Sequence, residues 1–453
     1  MSINDNYLLA KEIEKKLEQS MPIRLGVNKI NELTRLVFEI CLSLDQLPEE
    51  VLKRAGLYDL KNDRDKGGLF HRMKTDLLTM RYPSLRESDN VRIMPLKIEE
   101  ISEGHSEWNG EMNPKNIFVE KSTENLEWTK NFLEQFPSST VEVEENINGA
   151  VKRLSSRRGV EAYNSRRDNV FITANKASFI KRCPCTKDAK RCGYWILNLG
   201  FGCPFDCSYC YLQTYSNIPG IVLTANIEDY YEHIRTFDLA SAKGLRIGTG
   251  EFTDSLALDR YTGYSGKLIG FFRNAKNLVL ELKTKTADIE NVLKEDPHEN
   301  VVIAWSINTP KIAGICEKGA SSVSERIFAA ILAAKRGYRV AFHFDPVVWY
   351  ENWEKEYEDI VGELFSNKEI RDNTAWISLG TLRYTPGLKQ AAEQRFGDNT
   401  VFYKGEFFLD FDGKFRYPEA LRRDMYLKMK GFIKEQGVSC WTYLCMEPFG
   451  MMD

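Results

Sequence analysis

Three cysteines, Cys203, Cys207 and Cys210, stand in the short stretch GCPFDCSYCYLQ at a C-x3-C-x2-C spacing, with Tyr209 and Tyr211 flanking the last thiol. Thiolates select zinc or iron-sulfur clusters. A structural zinc normally takes four protein ligands, commonly from two separated C-x2-C pairs, whereas one compact triad leaves a position open. Three cysteines suit three irons of a four-iron cluster, with the fourth iron left to chelate a small molecule. A zinc loop completed by a fourth, distant cysteine is the competing reading. Six of the ten cysteines lie between positions 183 and 210 of a 453-residue chain, which points to metal rather than to the disulfide framework of a small secreted protein. The other members of that group, Cys183, Cys185 and Cys192, have a C-x-C-x6-C spacing that matches no standard ligand pattern. With one further ligand they would hold an auxiliary cluster or zinc; otherwise they pack near the entry to the first barrel strand.

The elements that carry these residues follow from periodicity. From 194 onward six apolar, β-rich runs (YWILNLGFG, LRIGTG, LVLELKTK, VVIAWSIN, YRVAFHFDP and AWISLGTLRY) alternate with helical segments. In the clearest helix, VSERIFAAILAAKRGY, Ser322 and Glu325 have capping-box spacing and Gly337 sits at the expected C-cap. Alternation with crossovers implies parallel strands, and six units are too few for a closed eight-stranded barrel. The predicted fold is α/β: an open, partial (β/α)6 TIM-like barrel, with a small α/β unit before it and a helical N-terminal extension. Chemistry in such barrels collects at the C-terminal ends of the strands. The thiol loop, Gly248 to Glu251, Lys283 and Lys285, Ser306 and Asn308, and His343 and Asp345 all fall at predicted strand ends.

Upstream, Val27, Ile30, Leu33, Leu36, Val37, Ile40 and Leu44 form one apolar helical stripe. From 117 a strand (IFVE), a helix (STENLEWTKNFLEQF) and a second strand (TVEVEE) predict the small unit. The expected organisation is 1–113 helical extension, 114–180 small α/β domain, 181–390 barrel and 391–453 C-terminal, substrate-contacting region. A net charge of −3 provides no global field for a polyanion. A local basic island does exist: between 152 and 191 stand Lys152, Arg153, Arg157, Arg158, Arg166, Arg167, Lys176, Lys181, Arg182, Lys187, Lys190 and Arg191, against Glu161, Asp168 and Asp188. Such a stretch either neutralises nucleic-acid phosphates over the barrel mouth or is a solvated surface. The charged first twenty residues contain no apolar signal core, and no run is long enough to span a bilayer, so a cytoplasmic protein with no membrane partner is expected.

The C-x3-C-x2-C loop resembles that of radical S-adenosylmethionine enzymes. Together with YCYLQ, EFTDSLALDRYTGYSGKLIGFF, KTKTAD, AWSIN, HFDP and SLGTLRYTPGL, it makes the chain from about 114 to its C-terminus similar to the spore photoproduct lyase-like family. The resemblance implies one [4Fe-4S] cluster on Cys203, Cys207 and Cys210, and S-adenosylmethionine cleaved to a 5′-deoxyadenosyl radical. Gly248, Gly250 and Glu251 would meet the methionine amino group; Thr253, Lys285, Ser306 and the main chain near Asp345 would line the rest of the pocket. Tyr209 and Tyr211 would gate or relay the radical, unless they simply pack with bonded hydroxyls. Arg416 and Tyr417 fall where the family contacts DNA. The implied substrate is a thymine-derived base in DNA, which must leave the stack to react, and the implied electron source is a carrier such as flavodoxin or ferredoxin.

One position departs from the pattern. The family has a hydrogen-donating cysteine three residues before the Asp of the second-strand motif; here that residue is Glu251. Cys445 is a candidate substitute thiol, its alternative being a buried small hydrophobe. DNA photoproduct repair is the first reading, radical isomerisation or tailoring of a modified base the second. An iron-sulfur redox sensor that binds nucleic acid is the reading from outside enzymology.

Overall fold

The computed structural model describes residues 3–56, 65–86, 91–98, 108–154, 163–176, 179–185, 189, 191–216, 218–396 and 400–451. They form two compact units. One comprises 105–347, 354–380 and 423–453; the other comprises 1–104, 348–353 and 381–422.

In chain order the larger unit carries β1 (Asn116–Glu120), β2 (Thr140–Glu144), β3 (Asn169–Thr173), β4 (Ile180–Arg182), β5 (Trp195–Leu197), β6 (Gly200–Phe201), β7 (Asp206–Cys207) and β8 (Ile221–Thr224). There follow β9 (Leu245–Gly248), β10 (Leu278–Thr284), β11 (Val301–Ser306), β12 (Glu317–Lys318), β13 (Arg339–Val347) and β14 (Thr374–Thr381). The barrel sheet has the order β18-β14-β13-β11-β10-β9-β5-β4, where β18 is Trp441–Leu444. Strands β5, β9, β10, β11 and β13 pair in parallel, as the crossovers require, and β4 closes one edge antiparallel. The curled, open sheet is the partial TIM-like barrel expected. The helix Val323–Arg336 has both halves of the Ser322/Glu325 capping box and ends at Gly337.

Two runs read as single strands are each broken. The first divides into β5, in the barrel sheet, and β6, which pairs with β8. The last divides into β14 and β15 (Arg383–Tyr384), which lie in different sheets. The small α/β unit also reaches beyond 114–180: its sheet, β2-β1-β3-β8-β6, recruits β8 and β6 from either side of the thiol loop. That pairing anchors the loop at both ends. The sheet is apolar on both faces, with Ile117, Val119, Val170 and Ile172 in one cluster and Phe118, Phe171 and Val222 in the other, as parallel strands demand.

The smaller unit joins the N-terminal helices to a distant segment, so neither the boundary at 113 nor that at 390 delimits a compact unit. Helices Ile3–Ser20, Val27–Leu44 and Lys66–Arg81 pack together. Ile30, Leu33, Leu36, Val37 and Ile40 are buried as the stripe predicts, while Val27 and Leu44 at the helix ends are exposed. The partner segment contributes the helix Pro386–Arg395 and an antiparallel sheet of β15, β16 (Phe408–Leu409) and β17 (Phe415–Arg416). A buried ionic network ties the two. Glu39 accepts from Lys389 at 2.6 Å and Arg81 at 3.0 Å and forms an ion pair with Arg35 at 2.8 Å, and Arg35 also reaches Glu393 at 2.8 Å. Burial disfavours ionised Glu39, but the three cations outweigh it and hold the carboxyl below its usual range.

Burial, reinforced by Arg35 and Arg81, lowers Lys389 to about 8 despite the attraction of Glu39 and Glu393. Between that value and the ordinary lysine range, the unfolded chain binds a proton that the folded chain releases, so stability from this group rises with pH above about 8 and is lost as pH falls through it. Melting curves from pH 7 to 10 should show this rise in the wild type relative to Lys389→Met; parallel curves would refute it.

Candidate active site

Strand β6 leads into the thiol loop, which begins at Gly202. This residue has φ of 99°, donates its N–H to the Phe252 carbonyl at 2.9 Å, and would bring a Cβ within 3.3 Å of the Ile221 backbone. The positive φ favours glycine there, and the close approach to Ile221 adds to that preference. Cys203 and Cys207 are buried and Cys210 half-buried. Cys207 lies on β7, which pairs antiparallel with β12, placing Cys207 opposite Glu317. The Gln213 side chain donates to the carbonyls of Cys207, Ser208 and Cys210, and the Ser208 N–H to that of Cys316 at 2.8 Å.

The strongest brace comes from residues that the sequence presented as basic surface. Arg166, with a side chain 1% exposed, donates to the carbonyls of Cys203 (2.9 Å), Phe205 (2.8 Å) and Tyr163 (3.0 Å) and to the Asp206 carboxylate (3.0 Å). Arg167 binds the Pro204 carbonyl and the other Asp206 oxygen. Both arginines therefore face inward onto the loop. Arg153 is paired with Glu142 and Glu144, and Lys176 with Glu120. Four cations of the basic island are thus paired within the protein; Arg157, Arg158, Glu161, Lys187, Asp188 and Lys190 lie outside the described residues.

At the end of β9, Gly248 is packed so closely that a Cβ would collide with the Tyr194 hydroxyl and the Glu281 carbonyl. Asp254 fixes the following turn: it accepts from the Leu256 and Ala257 amides, the Thr284 hydroxyl (2.6 Å) and the Lys285 amide (2.8 Å), joining the turn to the end of β10. Gly250 and Thr253 lie on this turn, and Glu251 is solvent-exposed. The Ser306 carbonyl on β11 accepts from Arg326, and Asp345 is half-buried on β13. His343 is buried, and its Nε2 meets Glu281 at 2.6 Å. Burial keeps this imidazole below its ordinary pKa against the pull of Glu281, so it braces the sheet interior. Arg246 adds to that interior, lying 4.7 Å from the Tyr443 ring centre and 4.8 Å from that of Trp376.

Tyr209 is buried and donates its hydroxyl to Glu317, whose carboxylate also meets Arg326 at 2.5 Å and Lys285 at 3.9 Å. Burial alone would raise Glu317 and lower Lys285. Arg326 and Lys285 instead hold the carboxyl below its ordinary value, and Glu317 and the neighbouring cysteines hold the ammonium above its own. Tyr211 is half-buried, its ring 5.8 Å from Tyr215. Glu317 and Asp254 were missed because their partners are distant in sequence, although Asp254 stands inside the quoted EFTD motif.

Arg416 and Tyr417 lie in the smaller unit, both buried. Arg416 is paired with Asp412 and Asp410, and the Tyr417 hydroxyl accepts from the Trp349 amide. Neither side chain is presented at a surface, contrary to an open substrate contact. Cys445 follows β18 and is half-buried. Cys183 has Cys185, Glu251 and Cys445 as electrostatic neighbours; its hydrogen bond with Cys185, then burial, raise its pKa. Among the described residues no three His, Cys, Asp or Glu side chains converge as on a single ion. The auxiliary metal expected at Cys183, Cys185 and Cys192 is therefore unsupported: these residues share a region but not a coordination sphere. The same spacing of donors does not disqualify the 203–210 loop for a four-iron cluster, which takes one thiolate on each of three irons. Its three thiols, on a backbone held by other side chains, fit that group.

The spore photoproduct lyase family model matches residues 112–406. The chain belongs to the spore photoproduct lyase family. It is accordingly a radical S-adenosylmethionine enzyme of that family. The spore photoproduct lyase of Clostridium acetobutylicum is 24% identical over 282 residues, 61% of this chain and 80% of that protein. That of a Geobacillus species is 22% identical over 332 residues, covering 71% and 95%. A solved spore photoproduct lyase complexed with dinucleoside spore photoproduct superposes with a TM-score of 0.64 at 20% identity, covering 74% of this chain and 99% of that one. A mutant with bound S-adenosylmethionine and the same dinucleoside gives 0.62 at 20% identity, covering 73% and 98%. At this identity the likeness is one of fold. Arg416, Tyr417 and Cys445 lie beyond the family match. No helix among the described residues is long and apolar enough to cross a membrane.

Removing the Arg166 guanidinium takes its buried donors from the Cys203 and Phe205 carbonyls of the loop and from the Tyr163 carbonyl. Arg166→Met should cost at least about 3 kcal/mol of stability and lower the iron incorporated per chain. Arg153→Met, which removes only exposed pairs, should leave both near wild type. Thermal unfolding and iron analysis of reconstituted protein read the difference.

Proposed function

We propose that this enzyme repairs a thymine-derived photoproduct in DNA by radical chemistry, with Cys203, Cys207 and Cys210 holding a [4Fe-4S] cluster. The observation that carries the reading is the braced three-thiol loop after the first strand of a partial barrel, in a chain whose family relatives are spore photoproduct lyases. When bound, the cluster and S-adenosylmethionine supply a carbon-centred radical that abstracts hydrogen from the base.

The chain's own residues orient the reactants. Gly248 and Gly250 allow close backbone approach, and Glu251 offers a carboxylate to the methionine ammonium. Lys285, held charged beside Glu317, suits a carboxylate or ribose oxygen, with Thr253, Ser306 and the main chain at Asp345 completing the pocket. Tyr209 and Tyr211 flank the cluster loop as candidate hydrogen relays. Cys445, near Cys183 and Cys185, is a candidate terminal thiol in place of the donor that Glu251 replaces. Arg416 and Tyr417 would contact DNA only if a rearrangement exposed their buried side chains. Flavodoxin or ferredoxin is the proposed electron source and the cytoplasm the proposed compartment.

The exposed carboxylate at Glu251 favours a second reading, in which the base radical is resolved by isomerisation of a modified base rather than by hydrogen return. Anaerobically reconstituted protein given 5′-deuterated S-adenosylmethionine should form 5′-deoxyadenosine and convert dimer-containing DNA. Conversion of modified-base DNA alone would select the second reading. Replacing all three loop cysteines with Ala should abolish iron binding and cleavage; cleavage retained in that variant would refute the assignment.

A further inference from the structure

The cluster loop touches one buried anion that the sequence gave no reason to select. Glu317 stands opposite Cys207 in the β7/β12 pair, and its neighbour Cys316 accepts the Ser208 N–H at 2.8 Å. Its carboxylate, 1% exposed, accepts the Tyr209 hydroxyl one residue before Cys210 and meets Arg326 at 2.5 Å and Lys285 at 3.9 Å. A single side chain thereby connects the segment holding two cluster cysteines, the end of β10 and the helix Val323–Arg336.

Such a node has an electrical consequence as well as a mechanical one. Reducing a cluster adds negative charge to the loop, and in a low-dielectric interior a fixed anion opposes that addition while nearby cations favour it. We propose that Glu317 is a positioning residue that locks Tyr209 against the cluster loop and, as a fixed negative charge, sets the cluster's reduction potential low, with Arg326 as its opposing charge. This inference rests on the cluster assignment above.

The test is a potentiometric titration of reconstituted protein followed by electron paramagnetic resonance. Glu317→Gln preserves shape and an acceptor for Tyr209 but removes the charge. It should carry wild-type iron and shift the midpoint to more positive potential, and Glu317→Asp should restore the midpoint toward wild type. Arg326→Gln, in which Lys285 and Tyr209 still face the carboxylate, should shift it to more negative potential. Opposite shifts are a signature that a purely structural contact would not give. Should Glu317→Gln fail to fold, Arg326→Gln still decides the matter: a midpoint that is unchanged or moves upward overturns the proposal. So does an unchanged midpoint in iron-replete Glu317→Gln. Wild-type protein that binds no iron would instead overturn the cluster assignment.

Discussion

A loop that offers three thiols to a metal group must be held still by something other than those thiols. Here the restraint is a buried guanidinium. Arg166 places its donors on the carbonyls of the loop and on Asp206, so the backbone is fixed by a side chain other than the three cysteines. The arrangement is costly in isolation, because a buried arginine needs compensation, and Asp206 together with the carbonyls supplies it. Arg167 and Gln213 complete the restraint from the other side. The sheet order serves the same end, since β6 and β8, which bracket the loop, pair with each other.

Charge is used inwardly throughout the molecule. Glu39 in the smaller unit and Glu317 and Glu281 in the larger are buried carboxylates, each facing cationic or hydrogen-bonding partners from several elements. Breaking one partner from such a group leaves an uncompensated buried charge, which penalises alternative packings. Each of these carboxylates joins parts of the chain far apart in sequence, and that separation governs what can be read in advance.

Local patterns were legible. The alternation of β-rich and helical runs identifies β9, β10, β11 and β13, the capping box at Ser322 is formed, and the stripe at Ile30, Leu33, Val37 and Ile40 is core. The thiol spacing and the EFTD turn were legible because their chemistry is local. What failed was long-range. Nothing near Glu39 indicates that Lys389 is its partner, so the helical extension looked separate from a segment 350 residues away. Likewise, a run of cations does not reveal which way each side chain points, and Arg166 was counted as surface. The breaks between β5 and β6 and between β14 and β15 occur inside β-rich runs too short for periodicity to divide.

The exposed Glu251 constrains the last step of any radical reaction at this site. A product radical needs a hydrogen atom, and an ionised carboxylate has none to give. Thiols retain theirs only while protonated. Cys183 meets that condition, since its bond with Cys185, its burial and the proximity of Glu251 all favour the neutral thiol. The carboxylate of Glu251, which has no hydrogen atom to give, thus helps keep a neighbouring thiol protonated, so the two positions are electrostatically linked.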